Sequence, residues 1–246
     1  MDSILKSFKL QKHLNPDIWD NVETDEFDQI TLKSDVRSAL LKIAKDFVDS
    51  FNLENLEIDD VVIIGSLVNY NWSKYSDIDL HIIFDKSSLK SDETVVDELF
   101  DAKKEIYNEK RDITIKGYDV ELYAQGVGEK TESLGKYSVL YNKWENIPDK
   151  ENFELNSKLI ISKVKVFEKE LKTIEKMEDS EAKVNKIKKL KEKIKNYRQS
   201  GLKKEGEFSN ENIVFKYLRR SGYMGRINDI KNTAKDAVLT IENSEL

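Results

Sequence analysis

Hydrophobic residues recur at intervals of three and four along residues 34–51, and this spacing predicts an amphipathic helix with Ser34 as its candidate N-cap. The same spacing predicts a second helix over residues 94–109. The apolar positions of the first helix are Val36, Leu40, Ile43, Ala44, Phe47 and Phe51. An apolar stripe of this kind needs a partner surface, so we expect both helices to pack against the rest of the fold.

The segments between and after these helices have the patterns of β-strands. Residues 61–64 form a β-branched run, and residues 77–80 alternate polar with apolar side chains. Residues 113–115 and 120–123 alternate with period two around Lys116-Gly117, which predicts a hairpin. These elements predict a small mixed sheet with helices on one side.

Beyond Pro148 the pattern changes to long helices with a narrow apolar stripe. The stripe covers residues 159–174 and 184–197, and Ser180 is placed to cap the second of these helices. We predict that the two helices form a hairpin. Residues 201–207 are predicted to be a polar linker.

The last part of the chain continues the helical pattern. Ser209 is predicted to cap a further helix and Gly222 to end it, and an amphipathic segment follows over residues 227–241. The predicted fold class is therefore α+β. A small mixed sheet with flanking helices would occupy residues 1–148, and an all-helical domain with a basic long-helix hairpin would occupy residues 149–246.

Composition excludes several classes of site. The chain has no cysteine, so it has neither disulfides nor thiolate metal sites, and His13 and His81 are too few for a histidine-rich zinc site. The beginning of the sequence lacks the basic and apolar pattern of a signal peptide, and no stretch of about 18 apolar residues occurs. We expect a soluble, cytoplasmic protein without membrane contact.

Charge is distributed unevenly along the chain. Residues 1–150 hold 19 Lys and Arg against 31 Asp and Glu, whereas residues 151–246 hold 22 against 16. Lysines are especially dense between Lys183 and Lys195. A basic block of this kind marks either a surface for a polyanion such as RNA or the solvated face of a helix.

Asp77 and Asp79 lie one residue apart on a predicted strand, so their side chains point to the same face of the sheet. Two like charges held side by side repel each other, and divalent cations bound by oxygen ligands are the usual remedy. Gly65-Ser66 follows the preceding apolar strand, and a glycine there lets the backbone approach phosphate oxygens.

The order of apolar strand, Gly65-Ser66, spacer and Asp77-Ile78-Asp79-Leu80 resembles the signature of the DNA polymerase beta-like nucleotidyltransferase superfamily. The resemblance covers roughly residues 35–125. The chain also resembles, more weakly, nucleotidyltransferases encoded by tailed phages. That superfamily uses a third acidic residue on a later strand. Glu121 is the preferred candidate here, and Asp119 is an alternative because it lies on the same strand face.

The resemblance implies that residues 1–148 are a catalytic domain that transfers a nucleoside monophosphate from a nucleoside triphosphate to an acceptor hydroxyl, with release of pyrophosphate. It implies that Asp77, Asp79 and Glu121 bind Mg²⁺ or Mn²⁺, and that Gly65 and Ser66 bind the triphosphate. The acceptor is unidentified, and RNA or another polyanion is one candidate. A nucleotide-binding or regulatory, antitoxin-like module without turnover is the alternative function.

Further candidate residues each have two interpretations. Lys74 in the spacer is either a phosphate contact or a solvated lysine, and His81 either orients a metal ligand or is satisfied by a neighbour. Tyr137, Tyr141 and Trp144 are interpreted as core residues, with stacking on a nucleotide base as the alternative.

Overall fold

The structure is a computed structural model that describes residues 2–51, 56–89, 92–129, 131, 133–149 and 155–240. It divides into two compact units, Leu10–Asn152 and Met1–Lys9 with Phe153–Leu246. The first is built around a mixed sheet and the second is helical, so the predicted α+β class is confirmed. None of the described helices is long and apolar enough to cross a membrane.

Within the described residues, six strands form one sheet. They are β1 (Ile58–Ile64), β2 (Ile78–Phe84), β3 (Thr114–Ile115), β4 (Tyr118–Gly126), β5 (Lys136–Ser138) and β6 (Lys143–Asn146). Their order across the sheet is β3-β4-β2-β1-β5-β6, and β2 and β4 are parallel while the other neighbours are antiparallel. The predicted hairpin is confirmed, since Lys116 and Gly117 connect β3 to β4 with positive φ angles of 53° and 81°.

Two helices cover the apolar face of this sheet, α2 (Ser34–Asp49) and α3 (Glu93–Lys110). The prediction of Ser34 as the N-cap of α2 was wrong: Lys33 occupies that position, Ser34 is the first helical residue, and Lys33 forms no side-chain hydrogen bond that caps the helix. The core that they share with the strands includes the following buried side chains: Leu40, Phe47, Leu80, Ile82, Phe84 and Phe100. Burial of alternate β2 residues on this side leaves Asp79 on the opposite face.

The helical unit contains α4 (Ser157–Glu175), α5 (Glu181–Glu205), α6 (Asn210–Arg220) and α7 (Tyr223–Leu239), together with the short N-terminal α1 (Asp2–Lys6). Ser180 caps α5 and Ser209 caps α6, as predicted. The structure differs from the sequence-based division at the N-terminus. Leu5 and Phe8 are buried in the helical core, so the first residues pack with this unit and not with the sheet.

Residues 201–207 are not a linker. Helix α5 continues to Glu205, and Gly201 is buried within it. A Cβ atom at Gly201 would lie 2.5 Å from Cβ of Glu211 and 2.6 Å from Oγ of Ser209. Here the glycine allows two helices to pack closely, which outweighs its low helix propensity.

The aromatic residues after β4 divide into two groups. Tyr137 is fully buried and Trp144 stacks on Trp19 with ring centroids 4.8 Å apart, which confirms their interpretation as core residues. The interpretation was wrong for Tyr141, which is 60% exposed and donates its hydroxyl proton to the Asp59 carbonyl. Tyr141 lies in the turn between β5 and β6, where no core surface covers it.

Candidate active site at one end of the central strands

The register of three neighbouring strands places the acidic residues at one end of the sheet. Asp79 in β2 pairs with Ile64 of β1 on one side and with Glu121 of β4 on the other. Asp77 precedes β2 by one residue and has the same strand parity as Asp79. Gly65 follows Ile64 directly and therefore adjoins the same end.

Asp77, Asp79 and Glu121 form a carboxylate cluster. Each offers an oxygen, these oxygens lie within 4.8 Å of one another, and all three residues are half-buried. Oxygen ligands at this spacing suit a hard divalent cation such as Mg²⁺ or Mn²⁺, and ions in two-metal sites are about 3.5–4 Å apart. Asp119 is exposed and pairs with Thr114 on β3, and the cluster found among the described residues includes Glu121 instead.

Gly65 touches the cluster through its backbone. Its φ of 83° and ψ of −162° lie in a region that is essentially restricted to glycine. A Cβ atom at this position would lie 1.9 Å from Oδ2 of Asp79, which is far inside van der Waals contact. The absence of a side chain at Gly65 thus makes room for the Asp79 carboxylate.

The turn that contains Ser66 is tied into the core and to the segment before Asp77. Ser66 donates a hydrogen bond to Oγ of Ser76 over 2.7 Å, and Trp19 Nε1 donates to the Leu67 carbonyl over 2.8 Å. The Gly65 N–H donates to the Ser133 hydroxyl over 3.4 Å, a long hydrogen bond. These contacts hold the backbone of the turn beside the cluster, where the sequence predicts phosphate binding.

Lys74 is exposed in the spacer, and its ammonium lies 5.0 Å from the ring centroid of Tyr75. This contact is a cation–π interaction, which is weak at an exposed site. The proposed contact of Lys74 with a phosphate therefore stays a prediction.

Tyr123 was missed in the sequence analysis although it lies two residues after Glu121 on the same face of β4. Tyr123 is partly buried and lies beside the carboxylate cluster. Burial, followed by the charges of Asp79, Glu121 and Asp77, raises the pKa of Tyr123 above its usual value. The phenol therefore stays protonated near neutral pH and is available as a hydrogen-bond donor beside Glu121.

His81 contacts Tyr123 and Gln125. Its ring stacks on Tyr123 with centroids 4.6 Å apart, and its Nδ1 forms a hydrogen bond of 3.0 Å with Oε1 of Gln125. His81 is thus satisfied by neighbouring side chains. Burial lowers the pKa of His81 to about 4, so the ring is neutral above that pH.

We expect His81 to make the stability of the metal-free protein depend on pH. Its pKa of about 4 in the folded state lies below the value of about 6.5 in an unfolded chain. The unfolded state therefore binds the proton first as pH falls, and the free energy of unfolding decreases from pH 6.5 towards pH 4. The loss from this group should reach about 2 kcal/mol at pH 5.

The measurement is urea unfolding in EDTA at several pH values, with His81→Gln as the matched variant that cannot titrate. The difference in stability between the two proteins should change by about 2 kcal/mol in favour of the variant between pH 8 and pH 5. Parallel pH profiles for the two proteins contradict this prediction.

No family model matches the chain, and no curated protein matches it. Among solved structures, the chain is similar to the STING-associated CdnE c-di-GMP synthase from Capnocytophaga granulosa. The similarity covers 85% of this chain and 84% of that chain, with 13% sequence identity and a TM-score of 0.25. A TM-score this low does not establish a common fold, so the site is interpreted from its own geometry.

Proposed function

We propose that this protein is a metal-dependent nucleotidyltransferase that moves a nucleoside monophosphate from a nucleoside triphosphate to an acceptor hydroxyl. The observation that supports this function best is the carboxylate cluster, whose oxygens lie within 4.8 Å of one another. Three acidic side chains repel one another at this distance unless a cation separates them. A cation held by carboxylates is in turn a site for phosphate oxygens.

The donor set fits the proposed cation. Asp77, Asp79 and Glu121 supply only hard oxygen ligands, which Mg²⁺ and Mn²⁺ prefer. When bound, such cations neutralise the negative charge that develops on the phosphoryl oxygens. The parallel pairing of Asp79 with Glu121 fixes the spacing of two of the ligands on rigid strands.

The residues of the chain have separate tasks in the transfer. Gly65 and Ser66 bind the β- and γ-phosphates through backbone N–H groups and the Ser66 hydroxyl, and these hydrogen bonds replace the contacts with Ser133 and Ser76. Glu121, two residues before Tyr123 on the same face of β4, takes the proton of the acceptor hydroxyl. The acceptor oxygen forms a bond with the α-phosphorus, the bond to the bridging oxygen of the β-phosphate breaks, and pyrophosphate leaves.

The test is incubation of the protein with each of the four radiolabelled nucleoside triphosphates, with Mg²⁺ or Mn²⁺, in the presence of total RNA. We expect label to move to an acceptor, equimolar pyrophosphate to appear, and both to stop in excess EDTA. Nucleotide binding without pyrophosphate release under all these conditions contradicts the proposed enzymatic function and supports the non-catalytic, regulatory alternative.

A further inference from the structure

We propose that the solvent face of α4 binds the phosphate backbone of a nucleic acid. Four lysines form this face, Lys158, Lys165, Lys169 and Lys172, and they are called the α4 lysine row below. All four are exposed. The inference concerns a surface outside the carboxylate cluster and does not depend on the proposed transfer reaction.

The α4 lysine row is straight. At 100° per residue its four side chains fall within an arc of about 60° around the helix axis, opposite the buried positions Ile160, Val164, Phe167 and Leu171. The row extends along about 21 Å of the axis. Each nucleic-acid strand in a duplex offers a phosphate about every 3.4 Å, so the row can face several phosphates.

No acidic side chain of α4 lies in this arc. Glu168, Glu170 and Glu175 are about 70°, 130° and 90° away from its centre. Within the part of the chain that the structure describes, the row forms no ion pair, whereas Glu170 binds Lys193 and Glu175 binds Arg226. Lysines at spacings of three and four repel one another on a helix, and a bound polyanion removes that repulsion.

The seven lysines of α5 that the sequence emphasised are arranged differently. Lys183 binds Asp179 over 2.7 Å, Lys193 binds Glu170 over 2.7 Å, and Lys191 donates to Asn228 over 2.9 Å. The other four are spread over about 180° of the helix circumference. These are Lys186, Lys188, Lys189 and Lys195. Helix α5 therefore has many lysines, but the arc of about 60° that Lys186, Lys189 and Lys193 share is interrupted by the ion pair of Lys193 with Glu170.

The surroundings of the row favour a nucleic acid over other anionic partners. An interfacial membrane helix inserts a broad apolar face, but that face of α4 is already buried, and only Leu159 and Val166 are exposed beside the row. Lysine is depleted at protein–protein interfaces. A strand of phosphates requires only cations along one line, which the row supplies.

The experiment measures fluorescence anisotropy of labelled single-stranded RNA and DNA of the same 30-nucleotide sequence, in EDTA and without nucleoside triphosphate. Four phosphate contacts should weaken binding of the unmodified protein about 50-fold between 50 and 200 mM salt. Replacing the four lysines of the row with glutamine should reduce the slope of log affinity against log salt by about 3. Because binding is measured without turnover, an inactive enzyme leaves this result unaffected.

The matched control replaces Lys186, Lys188, Lys189 and Lys195 with glutamine, an identical change in charge on the neighbouring helix. This variant should keep a salt slope within about 1 of the unmodified protein. Thermal unfolding by circular dichroism should show that both variants fold, because glutamine and lysine have similar helix propensities.

Three outcomes overturn the proposal. They are absence of binding by the unmodified protein at 50 mM salt, equal loss of slope in the two variants, and binding to phosphatidylserine vesicles without binding to either oligonucleotide. The last outcome identifies an anionic membrane as the partner of this surface.

Discussion

Replacing Asp77 with asparagine should reduce nucleotide transfer by on the order of a thousandfold while leaving the fold intact. The substitution keeps the size of the side chain and removes one of three charges whose oxygens lie within 4.8 Å of one another. An amide is a weaker ligand for a divalent cation, so the charge of the phosphoryl oxygens is no longer compensated during transfer. Initial rates of pyrophosphate release at saturating metal measure the effect.

Asp119→Asn is the matched control for this variant. It makes the same chemical change on an exposed residue outside the cluster, two positions before Glu121 on the same strand. We expect this control to keep the activity of the unmodified protein. Equal losses in the two variants would mean that the pairing of β2 with β4 does not select the third ligand.

A stability measurement distinguishes a variant that has lost catalysis from one that has lost its fold. Removing one of several mutually repelling carboxylates relieves repulsion, so Asp77→Asn should unfold at the same temperature as the unmodified protein or above it in EDTA. A lower unfolding temperature together with lost activity would point to a structural role for Asp77.

The positions of the first two carboxylates follow from the sequence because strand parity is a local property. Asp77 and Asp79 are two residues apart, and the alternation of a strand places them together whatever the strand pairs with. The choice between Asp119 and Glu121 is not local, since both have the same parity on β4. Only the register that pairs Asp79 with Glu121 decides it, and residues more than 40 positions apart set that register.

Packing against distant elements explains the other differences between the sequence-based predictions and the structure. Glycine is common in linkers, but α5 continues through Gly201 because α5 and α6 pack closely at this point. Tyr123 could have been found from its parity with Glu121, whereas its stacking on His81 requires the same β2–β4 register. Local pattern thus predicts the elements, and non-local pairing decides which side chains meet.

Gly65→Ala should have the second large effect, because the added methyl group is disfavoured by the backbone angles of Gly65 and also clashes with the Asp79 carboxylate. The backbone angles of Gly65 cost a residue with a side chain about 1–3 kcal/mol. The new Cβ would also lie 1.9 Å from Oδ2 of Asp79, so the carboxylate has to move. We expect transfer to fall by on the order of a hundredfold or more, since a ligand displaced by about 1 Å no longer fits the cluster.

Gly117→Ala separates the effect of the backbone conformation from the effect of the clash with Asp79. Gly117 has a φ of 81°, close to the 83° of Gly65, but a Cβ atom there meets nothing within 4 Å. This control should lose about 1–2 kcal/mol of stability from the positive φ and keep full activity. Loss of transfer in both variants would indicate that backbone strain alone is responsible.

The steric contribution of Asp79 to the cost of Gly65→Ala can be measured in a second variant, Asp79→Ala. In Asp79→Ala the oxygen that the new methyl group meets is absent, and the Cβ of residue 79 remains at an ordinary contact distance of 3.6 Å. Gly65→Ala should therefore destabilise the Asp79→Ala protein by at least about 1 kcal/mol less than it destabilises the unmodified protein. Equal costs in the two backgrounds, measured by urea unfolding, would show that the Asp79 carboxylate moves away freely, and the conformation of Gly65 would then serve the backbone of the turn and not the cluster.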